Sequence, residues 1–151
     1  MDGFKNIEIK NFRGIDQLKV DDFSRVNVFL GQNNSGKSTV LEAIHMLGGM
    51  SNPEMPQNLN RIRTKNFYAT FSDVSYLFHN MDVKNSPEFM AEQFDGNERK
   101  LRLNMSYTFD EKEMLSQSNA MNGGLPVSET KVYLNTLEMN FETTEQGVVK
   151  R

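Results

Sequence analysis

The decisive stretch is VNVFLGQNNSGKSTVLEAIHML, Val26 to Leu47. An apolar, β-branched run ends at Gly31. Gln32, Asn33, Asn34 and Ser35 follow, and Gly36-Lys37-Ser38-Thr39 then leads into renewed apolar residues. Val26 to Leu30 is short and apolar enough to predict a central strand. Val40, Leu41, Ile44 and Leu47 recur at helical spacing, so a helix is predicted over Lys37 to Leu47, ended by Gly48-Gly49. Between the two, Gly31 to Ser38 satisfies the pattern G-x-x-x-x-G-K-[ST] without a mismatch.

The pattern has a physical reason. A triphosphate holds several negative charges in a small volume. Glycines let the main chain curl around it, so that successive N–H groups point inward as a nest. The start of the helix adds its positive dipole end and its unpaired N–H donors. On this reading Asn33, Asn34, Ser35 and Gly36 contribute the backbone cradle. Lys37 brings a mobile positive charge to the β- and γ-phosphates, Ser38 ligates Mg²⁺, and Thr39 donates to an inner phosphate. The competing reading is a polar turn that matches by accident, and the strand–loop–helix context argues against it.

Upstream, FKNIEIKNF (Phe4 to Phe12) alternates apolar and polar residues and predicts a half-buried strand. Arg13-Gly14 is a turn, and Ile15 to Val20 is a second short strand. Downstream, Ser51 to Asn60 carries two prolines with several Asn and Gln and reads as a loop. Asp73 to Phe78 reads as a short helix or strand, Met81 to Pro87 as a loop, and Glu88 to Gln93 as one helical turn. Leu101 to Phe109 and Lys131 to Thr143 alternate cleanly and predict strands. The polar, Gly- and Ser-rich stretch between them is an excursion, with a short helix after Asp110. One ATP-binding domain is expected, its N-terminal part filling residues 1–151. Residues 1–50 hold the first strands, the loop and the helix, 51–100 a loop and helical excursion, and 101–151 antiparallel strands.

Composition narrows the classes. A formal net charge of −3 over 151 residues gives no global attraction to nucleic acid or anionic membrane. The absence of cysteine excludes disulfides and thiolate metal sites, and two histidines, His45 and His79, are too few and too far apart for a zinc site. The N-terminus has no apolar signal core, and no run is long enough to span a bilayer, so a cytoplasmic protein is expected. The ten methionines are scattered and read as gap-filling core residues.

FKNIEIKNFRGIDQLKV followed by VNVFLGQNNSGKSTVLEAI resembles the start of ABC-type ATPases of the RecF, SMC and OLD groups. Those chains open with a strand ending in an Asn-Phe-Arg triplet, here Asn11-Phe12-Arg13. A second strand precedes a Walker A motif with Asn at its third position, here Asn33, and then Leu-x-Ala-Ile, here Leu41-Glu42-Ala43-Ile44. The form GQNNSGKST, with SYLFHNMD (Ser75 to Asp82) and RKLRLNMSY (Arg99 to Tyr107), is most similar to the OLD-like AAA ATPases, many of them from prokaryotic defence systems. The resemblance is specific over Phe4 to Leu47 and loose beyond.

It implies an α/β fold: a P-loop NTPase lobe with a mixed sheet and an antiparallel β layer, the N-terminal portion of an ABC-type ATPase head. It implies ATP with Mg²⁺, a homodimer joined through nucleotide in the complete protein, no membrane, and an effector for which DNA is a candidate partner. It also places Arg13 near the nucleotide, where the plain alternative is a solvated turn arginine. The Walker B acidic pair and the signature motif of that family do not occur here, so this chain alone is expected to bind nucleotide and hydrolyse it poorly. Two rival readings are a nucleotide-binding switch that never turns ATP over and an unrelated P-loop kinase or transferase. A lid with arginines would mark the latter, and none is evident.

Other candidates have plainer readings beside the functional one. Arg61, Arg63 and Lys65, with Phe67 and Tyr68, read as a solvated basic face before they read as a nucleic-acid surface. His79, Asn80 and Asp82 lie where ABC-type lobes carry a γ-phosphate sensor, but without its Gln. His45 reads as a surface residue, and Glu42 as a solvated or paired carboxylate.

Overall fold

The computed structural model describes residues 3–64, 71–109, 133–145 and 148–150. The alternating segments form one six-stranded sheet. Its strands are β1 (Phe4–Phe12), β2 (Ile15–Val20), β3 (Glu88–Gln93), β4 (Glu98–Phe109), β5 (Tyr133–Glu145) and β6 (Val148–Lys150). The order across the sheet is β2-β1-β3-β4-β5-β6, and every pairing among these strands is antiparallel.

Register follows from which side chains must leave water. Ile7 and Ile9 pair with Val20 and Leu18 on one side and with Ala91 and Phe89 on the other. Phe89 meets Leu101 on β4, and Leu101, Leu103 and Met105 meet Phe141, Met139 and Leu137 on β5. All of these share one face, as the two-residue period of a strand requires. The other face is charged. Lys5 pairs with Glu92 at 2.8 Å, Lys10 with Glu8 at 3.0 Å and Arg102 with Glu88 at 3.3 Å. A one-residue slip of β3 would bring Glu88 and Glu92 to the apolar face, so burial fixes the register.

Two helices and a 3-10 segment cover the apolar face. They are α1 (Lys37–Gly48), α2 (Met55–Thr64) and Phe71–Leu77. Val40, Ala43, Met46 and Leu47 on α1, Leu59 on α2, and Val74, Leu77 and Phe78 join Ile7, Ile9, Phe12, Phe89, Leu101 and Leu103 in a single buried cluster. Each large side chain there contributes about 1.5–3 kcal/mol by leaving water. Phe12 packs edge-on against Phe89, centroids 4.9 Å apart. Met46 and Met50 lie in this core, as expected of gap fillers. The far end of α1 is closed by Arg99 on β4, whose Nη1 donates to Leu47 O at 3.2 Å and Gly48 O at 3.4 Å. A cation there opposes the negative end of the helix dipole.

The α/β lobe with its antiparallel layer agrees with expectation; the mixed sheet does not appear among the described strands, where every pairing is antiparallel, and three local readings are also corrected. Val26 to Leu30 is not a strand. It is an exposed connection without regular structure, with Val26, Val28 and Leu30 at 78%, 73% and 87% exposure. An apolar segment becomes a strand only when a neighbour takes its N–H and C=O groups, and no described strand lies beside this one. Ser51 to Asn60, read as a loop, contains the start of α2. Its Pro56 occupies the first turn, where a missing N–H costs nothing. Glu88 to Gln93, read as a helical turn, is β3, drawn into the sheet between β1 and β4. Asp73 to Phe78 falls mostly in the 3-10 segment. The 111–129 excursion, the helix after Asp110, and Lys65, Phe67 and Tyr68 lie outside the described residues.

An open apolar cleft of about 680 Å³ separates the 23–29 segment from α1, lined by Phe4, Phe23, Phe29, Leu41, Ile44 and Phe94. Among the described residues, no helix is long and apolar enough to cross a membrane.

Candidate functional site

The loop from Gly31 to Gly36 is shaped by three backbone conformations that L-residues resist. Gly31 has φ 157°, Asn34 φ 65° and Gly36 φ 86°. Gly36 is the N-cap of α1 in the left-handed region, and its carbonyl accepts the Val40 N–H at 3.0 Å. A Cβ on Gly31 would stand 2.8 Å from Ser35 Oγ and force that hydroxyl aside, and the positive φ disfavours a side chain there as well. Ser35 N–H bonds Gln32 O at 3.3 Å and completes the bend. Asn34 supplies a left-handed position as Asn does best among residues with a Cβ.

Lys37 lies across this bend. Its Nζ donates to Gly31 O at 2.9 Å, to Gln32 O at 2.6 Å and to Ser35 Oγ at 3.3 Å. The ammonium thus spans both ends of the loop. The start of α1 has no side-chain cap and no acidic residue in its first turn. Its first N–H donors and positive dipole end therefore have no acidic side chain in their own turn to satisfy them. Ser38 is exposed in that turn, while Thr39, next to it, is buried. Asn33, Asn34, Ser35, Gly36, Lys37, Ser38 and Thr39 thus fall on one bend and one helical turn.

Arg13 approaches from the β1–β2 turn. It adopts φ 53°, unfavourable for a residue with a Cβ, and three contacts hold it there. Its N–H bonds Leu77 O at 3.0 Å, and its carbonyl lies 2.9 Å from His79 Nδ1. Its guanidinium Nε is 2.7 Å from Glu42 Oε2, with side chains only 7% and 13% exposed. That approach is an ion pair whose N–H is poorly aimed at the oxygen. Burial lowers the guanidinium's pKa and the Glu42 charge opposes the fall, so Arg13 stays cationic.

Glu42 takes a second arginine. Arg63 of α2 places Nε 2.6 Å from Glu42 Oε1, and its Nη2 donates to Thr39 Oγ1 at 3.1 Å. The plain reading of Glu42 as a paired carboxylate agrees with this. Arg63, expected on a solvated basic face, instead reaches across to α1, while Arg61 remains on that face with Asn58 Oδ1 at 3.5 Å. The structure therefore brings Arg13, Thr39, Glu42 and Arg63 together. Glu42 and Arg63 are 21 positions apart, and no sequence spacing ties them. The one available signal was an acid on the phosphate-loop helix followed by a basic run.

His79 holds the Arg13 turn, and Asp82 closes a local turn by accepting from Lys84 N–H and Asn85 Nδ2. His45 is exposed near the end of α1, as expected. Among the described residues, no group of three His, Cys, Asp or Glu side chains could hold a metal ion by itself. An ion at Ser38 would therefore depend on ligand oxygens for most of its shell.

The sequence is similar to that of known proteins. Residues 4–150 match the AAA ATPase domain family. The DNA replication and repair protein RecF of Lactococcus lactis is 56% identical over 43 residues, 28% of this chain and 12% of RecF. An ATP/GTP phosphatase of Helicobacter pylori is 30% identical over 117 residues, 76% of this chain and 30% of that protein. RecF of Colwellia psychrerythraea is 38% identical over 69 residues, 44% of this chain and 18% of that RecF. The chain thus spans less than a third of the length of these relatives.

Proposed function

The chain belongs to the AAA ATPase domain family, and from that premise we propose that its Gly31–Thr39 loop binds ATP with Mg²⁺. One observation carries the reading. The Lys37 ammonium, a bend built on left-handed Asn34 and Gly36, and the uncapped start of α1 all fall within the single segment Gly31–Thr39. Each favours an anion, and a polyphosphate satisfies all three together. Lys37 is assigned to the β- and γ-phosphates and Thr39 to an inner phosphate. Ser38, the exposed hydroxyl of the first turn, is assigned to Mg²⁺, which when bound would neutralise phosphate charge. Arg13 is committed to Glu42, so its assigned role is to hold β1 against α1; direct contact with nucleotide would require it to leave the carboxylate.

In the whole protein, ATP is proposed to join two heads and to drive an effector. Two relatives are named DNA replication and repair proteins, which favours a DNA-related task. A third is named an ATP/GTP phosphatase, which favours hydrolysis in the complete chain. The test is titration with a fluorescent ATP analogue, with and without Mg²⁺. Saturable binding that ATP displaces, and that Lys37→Ala weakens at least about tenfold, supports the proposal. Equal binding by the wild type and Lys37→Ala, or no binding by either, overturns it.

A further inference from the structure

Glu42 and Arg63 lie outside the phosphate-loop motif, yet the chain Glu42–Arg63–Thr39 ends on one of that loop's hydroxyls. A threonine hydroxyl has one proton and two lone pairs. Arg63 Nη2–H fills one lone pair of Thr39 Oγ1 at 3.1 Å. A donor at that position directs the hydroxyl's own proton away from Arg63, so Thr39 acts toward its surroundings as a donor. Arg63 is held to the task by Glu42 Oε1 at 2.6 Å. Glu42 is itself held on its other oxygen by Arg13. Arg63 has 41% of its side chain exposed, while Thr39, where its hydrogen bond ends, is a buried residue at 6% exposure. Charge and position are thus passed inward from a half-exposed guanidinium to a buried hydroxyl. Hydrogen bonds linked in this way polarise one another.

We propose that Glu42 and Arg63 are positioning residues that set Thr39 Oγ1–H as a phosphate donor, so that α2 helps to tune the affinity of the loop for nucleotide. The proposal rests on the nucleotide-binding reading above and goes beyond it, since the loop motif contains neither residue. It also explains why α2 is tied to α1 by a forked, two-ended guanidinium. A lysine is a point donor and could not hold Glu42 and Thr39 in one fixed geometry.

The experiment is a double-mutant cycle on Mg²⁺·ATP affinity, with thermal unfolding recorded for each variant. Arg63→Met keeps the aliphatic stem and Thr39→Val keeps the volume. Arg63→Met is expected to weaken ATP binding about fivefold. Thr39→Val should weaken it about as much, and the double variant should lose no more than Thr39→Val alone. Adenosine, which has no phosphate, should compete equally well in wild type and Arg63→Met. Arg63→Lys should not restore ATP affinity. Glu42→Gln should follow Arg63→Met; if loss of the Arg13 pair prevents it from folding, the Arg63 and Thr39 variants decide alone. An Arg63→Met protein that binds ATP like the wild type, whether or not it melts earlier, overturns the inference. So do losses that simply add in the double variant, which would mark a structural tie between helices. A wild type that binds no nucleotide, or a Lys37→Ala variant that binds equally, overturns the function itself and this inference with it.

Discussion

Two apolar segments of similar pattern have opposite fates. In β1, Ile7 and Ile9 are fully buried between β2 and β3. In VNVFL, Val26, Val28 and Leu30 lie mostly in water. Both alternate, and both are rich in β-branched or bulky residues. The difference is hydrogen-bonding company. β1 has a neighbour on each edge, and α1 covers its apolar face. Alternation states which face a strand would bury; only a partner makes it a strand.

Truncating one apolar side chain in each region separates the two cases. Phe89→Ala, at the centre of the sheet, should cost about 3–5 kcal/mol in denaturant unfolding. Val28→Ala should stay within about 0.5 kcal/mol of the parent protein. Equal losses would show that the 23–36 segment is packed as firmly as the sheet. A smaller effect tests how the helix is fastened to that sheet. Arg99→Gln removes the cation from the C-terminal end of α1 and should cost about 1 kcal/mol, less at high salt. No loss would mean that the capping contacts are made equally well by water.

The smallest effect concerns the charged outer face. Lys5 and Asn6 hold the Glu92 carboxyl below the ordinary glutamate value, and Lys10 does the same for Glu8. A lowered carboxylate pKa in the folded state stabilises above the unfolded value, and that contribution disappears as pH falls through the folded one. A slight loss of thermal stability is therefore expected on acidification below about pH 4.5, reduced in Glu92→Gln. Both carboxylates are solvated, so the change should be small and salt-sensitive. An identical acid profile in Glu92→Gln would remove this pair from the account.

Much of the fold was legible because period-two and helical patterns coincide with real burial in β1, β2, α1, β4 and β5. The loop motif was legible because its glycines answer to a backbone shape. EFMAEQ was not, since Glu, Met, Ala and Gln favour helix and only pairing on both edges overrides them. The start of α2 was hidden by Pro56 and by Asn and Gln, residues that mark a loop unless the proline falls in a first helical turn. The Glu42–Arg63 link was hidden with it, because its geometry exists only once that helix does.

Lys37 is already engaged within its own loop. Its ammonium already has oxygen neighbours of its own, Gly31 O and Gln32 O, each held at ordinary bonding length. Any incoming anion must draw it off those carbonyls, so capture is an exchange of partners rather than a simple gain. The affinity such a loop can reach is set by how much better an anion serves that cation than the peptide oxygens it leaves behind. The same exchange gives the loop a second arrangement to return to on release.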